Sequence, residues 1–392
     1  MKLTKLMLSA CVAALALVSC NKEEHTPVVD GVKTVEMSIA NLIMTKGDAG
    51  TKISDGAAVV VNDFQVFLTD DTHTHVYTEG VKGDNNAEPK FYWTKTDLGT
   101  GFTSIAQNYH YVSHHCTKIV AVANAGKQLT LAEALELGTT IDLQQDQNNL
   151  LLFANAALTR HAEGKMHESE GKYAEVYVAN PILTPTVARF EVDGFVMNFN
   201  GEKYTKATVL DIAFQDYYPS MKNAVPTGTR VIPIANLDAD ADVYSWFNST
   251  AAANFGWFRD SFTTAVLEKP ATPDAANRYI AKADIAPKAY HFFAPAEVPD
   301  MMINLVLDGI AGTNIPAYLW TNIFKYVDKA TNETKTLEQI EPGKIYRMSA
   351  AGEALGDGSI PFDEEDLNAV ERCLEVTVDV ANWEVILVTP EF

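Results

Sequence analysis

Apolar and polar residues alternate without a break from Leu374 to Val380. Leu374, Val376, Val378 and Val380 fall on one face, and Glu375, Thr377 and Asp379 on the other. A repeat of two is the period of a half-buried β-strand, because successive side chains of a strand point to opposite sides. After Ala381-Asn382 a second run, Trp383 to Val388, places Trp383, Val385 and Leu387 together. An acidic stretch, Asp363-Glu364-Glu365-Asp366, leads into the pair. Such a pair is either tied into its own sheet or is an arm that pairs elsewhere. The other end of the chain favours the arm.

At that other end Lys2 and Lys5 precede an apolar run, Leu6 to Val18, that closes on Leu17-Val18-Ser19-Cys20. The run is too short for a membrane span, which takes about 20 apolar residues, and has the layout of a signal segment. Its end resembles the lipobox of bacterial lipoproteins, so residues 1–19 read as signal peptide and Cys20 as the lipid-bearing residue. Asn21-Lys22-Glu23-Glu24 resembles the charged segment that sends Bacteroidetes-type lipoproteins to the outer cell surface. Residues 21–34 read as a polar tether.

Thr34 to Met44 alternates again, with Val35, Met37 and Ile39 on one face and Glu36, Ser38 and Ala40 on the other. The small, polar, glycine-containing segment Thr45 to Lys52 follows. Segments of that composition form exposed loops, where proteases cut. Further strands are expected over Ala57–Leu68, Val76–Thr78, Lys118–Asn124, Glu175–Ala179, Thr186–Phe195 and Lys206–Phe214. Four more are expected over Ala289–Ala294, Met301–Leu307, Ile315–Leu319 and Lys344–Met348. Leu129–Leu137 has helical spacing, Leu143–Ala157 fits either element, and Tyr217 to about Ala276 reads as loop-rich. Many short strands bounded by Gly, Pro, Asn and Asp predict an all-β chain of sandwich domains with few short helices. Its 392 residues suit two or three domains, and a boundary is expected between residues 185 and 200.

A formal net charge of −21 with no Lys/Arg cluster excludes a nucleic-acid binder, which needs grouped cations for phosphate. Of four cysteines, Cys11 leaves with the signal and Cys20 carries lipid. Cys116 and Cys373 remain, and an oxidising compartment leaves a disulfide between them open. His73-Thr74-His75 would share one face of a strand, and His110, His114, His115 and Cys116 are grouped, but neither set supplies the ligands of a zinc site. His167-Glu168 lacks the second histidine of a zincin motif. Nucleophile-elbow, phosphate-loop and dinucleotide motifs are missing from the sequence. We therefore expect no catalytic residue, no metal and no cofactor, and not an enzyme. Trp246-Phe247 and Trp257-Phe258 lie in the loop-rich stretch, where they would either stack on sugar rings or pack a loop base. Asn248-Ser249-Thr250 and Asn332-Glu333-Thr334 match a eukaryotic glycosylation sequon, which means little in a bacterial lipoprotein.

Several landmarks, taken in order, resemble the fimbrillins of Bacteroidales type V pili, the major fimbrial subunits. They are the lipobox at Cys20, the short strand before a lysine-containing loop at Lys46, and the strand ending in Asn124. To these are added Ile340-Glu341-Pro342-Gly343-Lys344-Ile345-Tyr346-Arg347-Met348 and Leu374-Glu375-Val376-Thr377-Val378 followed by Trp383. The resemblance implies two transthyretin-like β-sandwich domains, placed here at residues 47–190 and 191–392, with residues 20–46 as a removable tether and first strand. It also implies a history. A lipidated precursor reaches the outer membrane, and a trypsin-like outer-membrane protease removes the segment carrying Val35, Met37 and Ile39. The groove left behind takes the carboxy-terminal arm of another copy.

The donor residues are then Leu374, Val376, Val378, Val380, Trp383, Val385 and Leu387. At roughly 1.5–3 kcal/mol for each large side chain buried, the seven supply on the order of 10–20 kcal/mol before entropy costs. The family is cut after an arginine, whereas this loop offers Lys46 and Lys52. The expected function is a structural subunit of an extracellular fimbrium, a homopolymer with accessory fimbrial subunits as further partners. An anchored surface lipoprotein or non-shaft subunit that binds glycan or host protein is the alternative.

Overall fold

The computed structural model describes residues 31–40, 61–98, 104–136, 150–169, 172–223, 225–237, 239–249, 258–310, 312–328, 330–349, 359–364, 367 and 373–382. Cys20, Lys46, Lys52, Trp257, Trp383, Val385 and Leu387 lie outside them. The described chain is mostly strand, with short helices at Lys95–Leu98, Leu131–Leu135 and Asp240–Phe247.

Two large apolar cores divide between Val187 and Ala188. The first gathers residues from Val35 to Val187, joined by Met221, Phe293 and Ile345; the second runs from Ala188 to Leu367. The first core has strands from two five-stranded sheets. One sheet places Val32–Ala40 between Ser104–Ser113 and Lys172–Ala179, with Thr159–Arg160 and Met166–Ser169 also pairing to Lys172–Ala179. The other runs Thr184–Pro185, Leu152–Ala157, Lys118–Ala123, Phe64–Thr69 and Tyr92–Trp93 in spatial order. Its central members, Phe64–Thr69 and Lys118–Ala123, are buried on both faces almost throughout. That is why Lys118–Ala123 reads as a continuous apolar run and not as an alternation.

The second core is enclosed by a single eleven-stranded sheet. Its longest members are Val187–Asn198, Tyr204–Gln215, Ile280–Phe293, Asp300–Gly309 and Gly312–Val327. The sheet curls until Val266–Glu268 near one edge approaches Ile280–Phe293 at the other. One sheet thus serves both layers of the sandwich.

Local chemistry explains several boundaries. Lys118–Ala123 ends at Asn124, which sits at φ 64°, a left-handed conformation that asparagine tolerates. The Asn124 side chain accepts from the Asn62 amide at 2.7 Å and donates to the Leu150 carbonyl at 2.8 Å, tying two connections to the strand end. Leu131–Leu135 is helical because Thr130 and Glu133 form a reciprocal capping box, and it buries Leu131, Ala134 and Leu135.

Several sequence expectations are corrected. Val76–Thr78 forms no strand; Val76 makes a single bridge to Thr69. The strand expected over Ala57–Leu68 is Phe64–Thr69 within the described residues, and Val61 to Asp63 precede it as loop. Residues 217–276 contain a helix, Asp240–Phe247. Its Trp246 and Phe247 are buried against Ala213, Ile234, Met302 and Tyr318, so they offer no platform to a sugar. His73 lies in a turn at φ 53°, which takes His73 and His75 off a common strand face. Cys116 is a free, buried thiol and not half of a disulfide.

Candidate functional site

The first strand, Val32–Ala40, runs antiparallel to Ser104–Ser113 and parallel to Lys172–Ala179. Along Val35 to Met37 it has a partner on each side: Val35 stands opposite Tyr109 and Tyr177, and Glu36 opposite Asn108 and Val178. Alternation turns Val35, Met37 and Ile39 into the first core, where they are 0%, 1% and 2% exposed. At about 1.5–3 kcal/mol each, this face contributes on the order of 5–9 kcal/mol before entropy. The first strand is therefore a central, apolar member of its sheet. Removing it would leave the backbone of two strands unpaired beside an open core.

Lys33 shares the core face by alternation, whereas Thr34 and Glu36 make the opposite face polar and specific. Lys33 is buried; its ammonium donates to the Cys116 carbonyl and lies 4.4 Å from the centre of the Tyr177 ring. Burial pulls the Lys33 pKa down, and burial pushes the neighbouring Cys116 thiol up to about 11. Thr34 Oγ1 lies 3.2 Å from His110 Nδ1, and His110 Nε2 lies 3.1 Å from Asp84 Oδ1. Hydrogen bonds from Asn108 and then from His110 hold the Asp84 carboxyl below its usual range. The His167 ring stacks on His110 with centroids 3.9 Å apart, and burial followed by repulsion from His110 lowers the His167 pKa. Farther along, Lys165 Nζ donates to Glu36 Oε1 at 2.7 Å.

Both walls of this site are held from outside. Ser104–Ser113 is bridged at His110 to Lys82, and the Tyr109 hydroxyl donates to the Lys90 carbonyl at 2.9 Å with its ring stacked on Phe91. Lys172–Ala179 is backed by Thr159–Arg160 and Met166–Ser169. The alternation of Ser104–Ser113 is broken by a bulge. Tyr111 sits at φ 60°, and the register with the first strand shifts between Lys33 and Val35. That break hid the strand from a period-two reading.

The terminal strand, Cys373–Asn382, lies inside its own domain. It runs parallel to Gly312–Val327 and antiparallel to Lys344–Ser349. The donor positions Val376, Val378 and Val380 stand in register opposite Phe324, Met348 and Tyr346, which are members of the second core. Its two neighbours grip different halves. Among the described residues, Gly312–Val327 pairs with Cys373 to Thr377, Lys344–Ser349 pairs with Thr377 to Asn382, and they overlap at Thr377. Past Lys325, Gly312–Val327 turns to Thr334–Thr336 instead. A cavity of about 770 Å³ near the turn is lined by residues including Tyr326, Lys335, Glu341, Lys344 and Tyr346.

The neighbours of the terminal strand are independently anchored. Lys344–Ser349 pairs in parallel with Val187–Asn198, and a buried network crosses the pair. Arg347 Nε donates to Glu191 Oε2 at 2.8 Å, Arg189 Nε to Glu191 Oε1 at 2.7 Å, and Arg189 Nη1 lies 3.0 Å from His291 Nε2. Gly312–Val327 pairs with Asp300–Gly309. Upstream of the terminal strand, Ser359–Asp363 pairs with Val187–Asn198, and buried Glu364 accepts from the Gly201 and Lys203 amides at 3.0 and 2.9 Å. A Cβ on residue 201 would meet that carboxylate at 2.4 Å, so a side chain there would displace Glu364 from its two amides.

No model of a known protein family matches the chain, and no curated protein matches it. Among solved structures the chain is similar to a fimbrilin from Porphyromonas gingivalis at 15% identity and TM-score 0.45, covering 92% of this chain and 100% of that one. It is similar to the fimbrial anchor protein Mfa2 from the same organism at 10% identity and TM-score 0.29, covering 91% and 100%. A fimbrial protein from Bacteroides vulgatus follows at 11% identity and TM-score 0.29, covering 90% and 100%. These neighbours are fimbrial proteins by name; at such scores the functional reading rests on the two strands described above.

Proposed function

We propose that the protein is a structural subunit of a cell-surface fimbrium that polymerises by strand exchange. The precursor is lipidated at Cys20 and held at the outer membrane with the first strand in place. A trypsin-like protease cuts in the loop after that strand, at Lys46 or Lys52, and the first strand departs. The groove between Ser104–Ser113 and Lys172–Ala179 then takes the terminal strand of another copy. Strand addition satisfies the exposed N–H and C=O groups, while alternate side chains fill the core pockets and set the register.

The observation that carries this reading is the position of the first strand. It is flanked on both sides along Val35–Met37, it buries Val35, Met37 and Ile39, and in sequence it lies shortly before Lys46 and Lys52. A strand so placed cannot leave without being replaced. Support also comes from the terminal strand, which already pairs with one parallel and one antiparallel neighbour, as the first strand does. The glycan-binding alternative loses Trp246 and Phe247, which are buried.

The test is to treat protein lacking residues 1–20 with a trypsin-like protease, then run an unheated denaturing gel and determine the mass of the new amino terminus. A ladder of multimers appearing only after a cut at Lys46 or Lys52 is expected. A clean cut there with a lasting monomer would refute strand exchange as the function.

A further inference from the structure

Strand exchange leaves open the register of the incoming strand, and the residues of the two strands select one. Thr34-Val35-Glu36-Met37-Ser38-Ile39 and Cys373-Leu374-Glu375-Val376-Thr377-Val378 match in size and character at every position. Small stands against small at Thr34 and Cys373, apolar against apolar at Val35 and Leu374, and acid against acid at Glu36 and Glu375. The match continues with Met37 and Val376, the hydroxyls of Ser38 and Thr377, and Ile39 and Val378. In sequence it extends one residue further back, where Arg372 stands against Lys33.

We propose, resting on the strand-exchange reading, that a second copy docks its terminal strand in this register. Leu374, Val376 and Val378 take the core positions of Val35, Met37 and Ile39. Glu375 takes the place of Glu36, opposite Asn108 and Val178, and inherits the ion pair with Lys165.

Competing registers are each penalised at a named position. A slip of one residue turns Glu375 and Thr377 toward the core positions that are at most 2% exposed in the first strand, and a buried, unpaired carboxylate is costly. A slip of two keeps the core face apolar with Val376, Val378 and Val380. It sets Thr377 at the place of Glu36, however, and Lys165 loses its 2.7 Å acceptor. A slip of four restores an acid there, Asp379, but places Asn382 in the site of Ile39, which is 2% exposed. Among registers drawn from Cys373–Asn382 the selected one alone satisfies both faces; Trp383-Glu384-Val385-Ile386-Leu387 repeats the apolar face and the acid but sets Ile386 in the place of Ser38. Donor and displaced strand thus carry the same chemical pattern, and the groove receives a copy of what it lost.

The experiment reads register directly. In a Cys373→Ser background that keeps Glu375, Ala106→Cys, at the exposed position opposite Ser38, is combined with Thr377→Cys, Asp379→Cys or Ala381→Cys. Each protein is cut to start polymerisation, oxidised and run on a non-reducing gel. Residues directly opposite in an antiparallel pair lie about 4.5–5.5 Å apart at Cα, within disulfide range. Thr377→Cys is expected to link most subunits covalently, with the other two pairs unlinked and the uncut protein unlinked in all three. A denaturant melt of the Ala106→Cys protein guards against a folding defect there. Preferential linking through Asp379→Cys or Ala381→Cys overturns the register while leaving exchange intact. Failure of the cut parent protein to form any polymer counts against the exchange itself, and the register falls with it.

Discussion

The first strand and the terminal strand occupy like positions in different ways. Each enters its sheet between one parallel and one antiparallel neighbour. Val35 to Met37, however, are gripped from both sides at once, whereas, among the described residues, the terminal strand is gripped on one side over its first half and on the other over its second. A doubly flanked strand cannot peel off residue by residue without opening the core. A strand that, among the described residues, is paired on one side at a time can. The difference suits the two proposed roles: the first strand stays until a protease frees it, and the terminal strand stays folded yet can leave without help. Anchors on both sides, Arg347–Glu191–Arg189 beside it and Glu364 before it, keep the rest of the sheet in place when it does.

The sharpest way to break this comparison is to weaken each strand and ask which states suffer. Met37→Ala should destabilise the uncut protein by about 2–5 kcal/mol, as for other large-to-small changes at buried positions. Because residue 37 leaves with the cut segment, polymer made from that variant should melt as the parent polymer does. Urea unfolding of the two states checks both statements. Aspartate at Val376 or Val378 is a blunter tool. Those positions lie opposite buried Phe324 and Met348, so the change disturbs the strand in its own domain as well as in the proposed groove.

Glu364→Ala removes two charge-assisted hydrogen bonds at the root of the terminal strand and should cost about 1–3 kcal/mol. Since Glu364 acts within the second domain, uncut protein and polymer should lose similar amounts, which denaturant melts of both would show.

Acidification should act on the first domain. His167 binds its proton less readily when folded than the ordinary histidine value of 6.5 implies. Its contribution is therefore intact above that value and is lost as pH falls through 6.5 and then through the lower folded pKa. His110, Asp84, Glu36 and Lys165 are the charged or titratable groups that face this site. The protection of the Thr34 to Ser38 amides, measured relative to intrinsic exchange at each pH, should fall between pH 7 and 5, and His167→Asn should blunt the change. The smallest effect belongs to Glu36→Gln, whose partner Lys165 is largely exposed. Loss of that pair should cost the uncut protein about 0.2–1 kcal/mol in a thermal melt and leave the polymer unchanged.

The strands that build these regions were legible where one face meets a core. Val35, Met37 and Ile39, and the run from Leu374 to Val380, declared themselves by alternation, and the spacing of Leu129–Leu137 announced the helix that Thr130 and Glu133 cap. Ser104–Ser113 stayed hidden because its bulge at Tyr111 breaks the period. Ser359–Asp363 stayed hidden because five residues, one of them proline, make too short a pattern. Packing of Trp246 and Phe247 was one of the two readings the sequence left open, but the helix Asp240–Phe247 that carries them stayed hidden because the surrounding composition is turn-rich. The polar clasp of the first strand, Lys33 with Tyr177, Thr34 with His110 and Glu36 with Lys165, joins residues up to 144 positions apart, as Lys33 and Tyr177 are. No local pattern carries such pairings. The placement of the terminal strand in its own sheet was equally beyond the sequence, which offered a tied strand and a free arm as alternatives.

The central claim is that departure of the first strand opens the site for polymerisation. It is tested most directly by locking that strand. Glu36 and Asn108 stand opposite each other, so Glu36→Cys with Asn108→Cys should form a disulfide that keeps the first strand in its groove after the loop is cut. The cut, locked protein should remain monomeric on an unheated gel and begin to polymerise when reductant is added. A multimer ladder formed while the disulfide is intact would contradict the claim.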